Sequence, residues 1–159
     1  MIDRSMLAAI VLGSAALASD CPVTAPPNPP FVAPAPHQPI PVDARTFWYG
    51  TDELWTLLSS PELWRGLPHT ERGYSQKAFF WSKEFNRRKE MSPDLRVFGN
   101  RLDAEAPAFT GENPTNAGFG DGTAAMLVGL NIPTTGCWEI TGSYRDHELK
   151  FVVKVEDDR

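Results

Sequence analysis

The sequence predicts an all-β body of short antiparallel strands, and three observations carry that expectation. Near the C-terminal end, Trp138, Ile140 and Tyr144 fall on one face of an extended chain, and Leu149, Phe151, Val153 and Val155 do the same in the next segment. Fifteen prolines and twelve glycines in 159 residues weigh against long helices. Short apolar runs recur along the body, each set off by residues that favour turns.

The chain opens differently. Met1 to Arg4 carries one arginine, and Met6 to Ala18 is an uncharged run too short to span a membrane comfortably. Ala16-Leu17-Ala18 matches a small-residue processing site, so residues 1–18 read as a signal peptide cleaved after Ala18. Residues 19–44 form a proline-rich arm, with Pro22, Pro26, Pro27, Pro29, Pro30, Pro34, Pro36, Pro39 and Pro41. Such a segment favours polyproline II and cannot feed a sheet with donors.

Two cysteines in an exported chain are most simply a disulfide, Cys21–Cys137. The alternatives are a Cys21 that carries a lipid anchor while Cys137 stays free, or two free thiols. Asp20, directly before Cys21, suits lipoprotein processing poorly, and membrane attachment is expected only if Cys21 is lipidated. A bridge would turn the arm from a free spacer into a strap running back over the domain, with Phe31 and Val32 packing down.

The body, residues 45–159, begins with a strand over Arg45–Gly50 and a turn at Thr51-Asp52. Glu53–Leu58 reads as a second strand because Trp and Thr suit one, although Leu54, Leu57 and Leu58 also fit helical spacing. Ser59–Gly73 is a long loop holding one helical turn around Glu62-Leu63-Trp64, and Tyr74–Trp81 is an aromatic strand. Lys83–Glu90 is a charged loop, Leu95–Leu102 a strand, and Ala104–Gly111, which contains Pro107, a short edge strand. Asn113–Gly122 reads as a Gly/Asn loop, and Ala124–Ile132 as a nearly continuous apolar, central strand. A hairpin closes the chain, its two strands reversing at Arg145-Asp146-His147. Seven or eight short strands with this punctuation are the pattern of an immunoglobulin-like antiparallel β-sandwich.

The segment from Pro133 to Tyr144 (PTTGCWEITGSY), with Phe151-Val152-Val153 after it, resembles the ending of a family of exported bacterial proteins of uncharacterised function. The likeness extends to Cys21-Pro22-Val23-Thr24, Phe47-Trp48-Tyr49-Gly50, Asn100-Arg101-Leu102-Asp103 and Ala125-Met126-Leu127-Val128-Gly129. It implies export and a β-rich domain, and the shared cysteines hint at a bridge. It implies no activity.

Chemistry is sparse. A net charge of −5 argues against nucleic acid, which needs a basic face. His37, His69 and His147 stand singly rather than at ligand spacing, so no metal site is expected. Gly118-Phe119-Gly120-Asp121-Gly122 lacks the further acidic ligands of a calcium loop and the third glycine of a dinucleotide loop, so no cofactor is expected either. No nucleophile–base motif occurs, and no catalytic residue is assigned. Asp52 and Glu53 beside Trp48, Tyr49 and Trp55 offer an alternative, an aromatic-rimmed acidic site of a small envelope hydrolase, and a lipidated Cys21 offers another, a lipid-anchored sensor domain. The leading expectation is a non-catalytic exported module, periplasmic or extracellular, that binds an envelope protein or glycan or serves structurally. Trp48, Tyr49, Trp55, Phe85, Arg87 and Arg88 are its candidate binding residues.

Overall fold

The computed structural model describes residues 20–35, 45–119 and 122–158. The expected signal peptide and its cleavage point, His37 and the rest of the arm to residue 44, and Gly120 and Asp121 of the glycine loop lie outside the described residues. Ten strands and one 3-10 turn follow in order: β1 (Thr46–Gly50), β2 (Trp55–Ser59), the turn at Pro61–Trp64, β3 (His69–Thr70), β4 (Gly73–Trp81), β5 (Leu95–Arg101), β6 (Phe109–Thr110), β7 (Thr115–Gly118), β8 (Ala124–Ile132), β9 (Gly136–Tyr144) and β10 (His147–Val155).

They form two antiparallel sheets. The larger runs β1-β2-β4-β8-β7, with β3 paired to β4, and the smaller runs β10-β9-β5-β6. The expected sandwich of antiparallel strands is what the chain builds. The choice between strand and helix over Glu53–Leu58 resolves to strand from Trp55 on, with Glu53 and Leu54 in the turn: Phe47 pairs with Leu58 and Tyr49 with Thr56 across β1–β2. The helical turn around Leu63 is present as the 3-10 turn.

Two elements depart from expectation, the first being β3, where His69 and Thr70 of the expected Ser59–Gly73 loop pair with Tyr74 and Gly73. Asn113–Gly122 is not all loop either: Thr115–Gly118 pairs with Ala124–Leu127 of β8 as an edge strand. Backbone pairing at an edge needs no apolar side chains, so composition did not announce it. Asn116 also holds the segment in place by donating from its amide to the carbonyls of Glu90 and Met91.

The terminal hairpin supplies the smaller sheet's share of the core. Trp138, Ile140 and Tyr144 on β9 and Leu149, Phe151, Val153 and Val155 on β10 are buried on the inner face, as their alternation requires. They meet Leu58, Ala78, Phe80, Met126, Val128, Leu130 and Ile132 from the larger sheet. Gly142 brings the sheets close there, since a Cβ at that position would strike the Phe80 ring. The larger sheet is apolar on its outer face as well. Trp55, Trp81 and Ala125 form a second buried cluster with Trp48, Leu57, Phe79 and Phe119 around it.

The arm is a strap. Cys21 and Cys137 form a disulfide, with Cα atoms 5.5 Å apart and 116 residues between them in sequence. Both cysteines are thus used, and Cys21 carries its partner sulfur rather than a lipid. Thr24 then lies along β10, its N–H donating to the Val152 carbonyl at 2.9 Å while the Val152 N–H donates to its Oγ1 at 2.8 Å. Further on, Phe31 and Ala33 pack on the outer cluster of the larger sheet. Of the pair expected to pack down, Phe31 does and Val32 does not. In an extended arm, neighbouring side chains point opposite ways, so Val32 is 67% exposed and Ala33 is covered instead.

Candidate functional site

Three turns meet at the end of the sandwich remote from the disulfide. Each is shaped by its own residues. After β1, Gly50 adopts φ 144°, and a Cβ there would collide with the Leu54 carbonyl and Trp55. Thr51 closes that turn, its Oγ1 accepting from the N–H groups of Glu53 and Leu54, each at 3.3 Å. After β4, the Ser82 Oγ accepts from the Glu84 N–H at 3.2 Å, and Phe85 sinks into the core edge-on to the Tyr144 ring, 6.3 Å away. Between β9 and β10, Arg145 takes φ 53°, in the left-handed region that tight hairpin turns require.

These turns bring together Glu53, Glu84 and His147. Glu53 gives its Oε1 to the Lys83 ammonium and turns its Oε2 toward the His147 Nε2 at 4.0 Å. Glu84 gives its Oε2 to Arg145 at 3.3 Å and turns its Oε1 toward the same nitrogen at 3.7 Å. Behind them, Arg145 donates to Glu90 at 2.8 Å, and the Tyr144 hydroxyl donates to both Glu90 oxygens at 2.8 and 2.9 Å. Burial, and then the Glu90 carboxylate, push the Tyr144 hydroxyl up to about 12. The Glu53 carboxylate raises Lys83 likewise. The cluster holds two cations fixed and leaves two carboxylate oxygens aimed at one imidazole nitrogen. Such a set can bind a cation.

The sequence-predicted residues are distributed unevenly around it. Arg87 and Arg88 are exposed on the same β4–β5 loop, beside an open depression of about 300 Å³ lined also by Phe85, Thr123 and Ala124. Phe85 is a core residue. Trp48 lies on the outer face of the larger sheet, edge-on to Trp81 at 5.1 Å, and Trp55 is fully buried there. Tyr49, one residue from Trp48, packs against the inner core. Adjacent strand residues point to opposite faces, so Trp48, Tyr49 and Trp55 do not form one rim around Asp52 and Glu53.

Sequence reasoning missed Glu84, Glu90, Tyr144, Arg145 and His147 as a group. Residues 53, 84 and 147 carry no spacing that links them; only strand pairing does. At the opposite end, a cavity of about 500 Å³ beside the bridge is lined by Arg65, Arg101, Asp103, Lys154 and Glu156. Its charges pair with one another, as in Arg101–Asp103 at 2.7 Å and Lys154–Glu156 at 2.9 Å. Among known proteins, no family model, no curated sequence and no solved structure matches the chain.

Proposed function

We propose that this chain is a non-catalytic exported module, an immunoglobulin-like sandwich that engages an envelope protein or a glycan through the loops at the β4–β5 and β9–β10 end. The observation that carries the reading is the strand order. Read as A-B-E-D for β2-β4-β8-β7 and G-F-C-C′ for β10-β9-β5-β6, it follows the immunoglobulin-type arrangement. In that arrangement the B–C and F–G loops share one end and carry binding in many domains; the inference is by analogy of fold. The first of these, the β4–β5 loop, here holds exposed Arg87 and Arg88.

The disulfide supports export, because such bridges persist in oxidising compartments. The hydrolase alternative loses support from the separation of Trp48 and Tyr49 onto opposite faces.

The test is capture from an envelope fraction by the mature, oxidised protein, compared with Arg87→Glu/Arg88→Glu. A partner or glycan held by the native protein and lost by the variant is the expected result. Undiminished capture by the variant sinks the loop assignment, and full activity against a simple glycoside or peptide sinks the non-catalytic reading.

A further inference from the structure

We infer that Glu53, Glu84 and His147 form a divalent transition-metal site, best suited to zinc, at the loop end of the sandwich. It is independent of what partner those loops engage.

The three residues come from three different turns, and one ligand atom from each lies within 4.8 Å of the others. Zinc sits about 2.0–2.2 Å from nitrogen and carboxylate ligands, so tetrahedral neighbours are separated by about 3.4 Å. The separations from His147 Nε2 are 3.7 and 4.0 Å, too long for hydrogen bonds and a few tenths of an ångström wider than a tetrahedral edge. Closure of the two carboxylates, from within 4.8 Å of each other to a tetrahedral edge, completes the geometry.

The arrangement behind the ligands points the same way. Each carboxylate spends one oxygen on a fixed cation, Lys83 or Arg145, and presents the other to the common centre. Outer partners that orient ligands in this fashion are the usual companions of metal sites. Arg145 is itself held by Glu90, and Glu90 by the buried Tyr144.

Donor chemistry selects the ion. One imidazole with two carboxylates favours zinc or a neighbouring first-row metal over magnesium or calcium, which prefer all-oxygen shells. Charge agrees: Glu53, Glu84 and Glu90 against Lys83 and Arg145 leave one uncompensated negative charge when His147 is neutral. Three protein ligands leave a fourth position for water or for a group from a bound partner.

The experiment is a calorimetric titration of the mature, oxidised protein with zinc chloride at neutral pH. One ion per chain is expected, with binding weakened at least 100-fold by His147→Gln, about tenfold by Glu84→Gln, and unchanged by His69→Gln. Excess magnesium should not compete. As a reading that needs no substitution, cobalt(II) should give a tetrahedral visible spectrum and shift the His147 ring protons in NMR. Absence of stoichiometric binding, binding that survives His147→Gln in a folded variant, or cobalt that leaves the His147 ring unshifted each overturns the assignment.

Discussion

Replacing both cysteines, Cys21→Ala with Cys137→Ala, isolates what the strap contributes. The bridge closes a loop across a separation of 116 residues. For a loop of that length the chain-entropy relation gives about 5 kcal/mol of stabilisation, by restricting the unfolded chain. The arm's own bonds are smaller: the two at Thr24 contribute about 1 kcal/mol each. The bridge therefore dominates, and the arm's contacts are a consequence of the tether rather than a substitute for it. At about 4 °C per kcal/mol for a domain of this size, the double variant should melt about 20 °C below the oxidised native protein. Differential scanning calorimetry reads this directly, and the native protein in reductant should melt near the variant. Partial proteolysis adds a positional check, since residues 22–35 should be cut only when the bridge is gone. A melting point within about 3 °C of the native value would refute the reasoning, because it would mean that the arm docks as well untethered as tethered.

Other expectations follow from single contacts. Thr24→Val removes the acceptor for the Val152 N–H and should cost about 1 kcal/mol by chemical denaturation, an effect that disappears in the cysteine-free protein. Gly142→Ala should cost about 1–3 kcal/mol, because its methyl would press on the buried Phe80 ring where the sheets meet; an unchanged denaturation midpoint would contradict that packing. Tyr144 should ionise near 12, after burial and Glu90 have raised it, so its tyrosinate absorbance appears late in an alkaline titration and vanishes in Tyr144→Phe. Because the folded value lies above the unfolded 10.0, this group's contribution to stability is fully present below pH 10 and is lost as pH rises through about 12.

What could be read beforehand follows the period of two. The hairpin was legible because its apolar residues alternate and its faces differ, so burial at 138, 140, 144, 149, 151, 153 and 155 is implied by sequence. The bridge was legible because two cysteines in a chain expected to be exported have one simple use. Edge strand β7 was not, since Thr115, Asn116, Ala117 and Gly118 carry no apolar pattern and are held by β8 and by the Asn116 amide. The aromatic rim was misjudged for a readable reason: Trp48 and Tyr49 are adjacent, and adjacent strand residues cannot share a face. The cluster of Glu53, Glu84 and His147 was beyond reach, because it exists only once three distant turns are stacked at one end.

The position of the strap follows from the sheets' edges. Among the described residues, β1, β3, β6 and β7 are edges of five, two, two and four residues, whereas β10 is an edge of nine. A long, regular edge is a template for pairing with another chain, and short ones are not. The arm lies on the long one. It contributes Thr24 as a single pairing residue, while Pro22, Pro26 and Pro27 around it have no N–H to offer a further strand. Anchoring through Cys137 is suited to this, because Cys137 pairs with Lys154 on β10 and so tethers the arm beside the edge it covers. The proline content that rules out a strand in the arm is thus what lets it end a sheet, and the bridge keeps a weakly hydrogen-bonded segment at that edge.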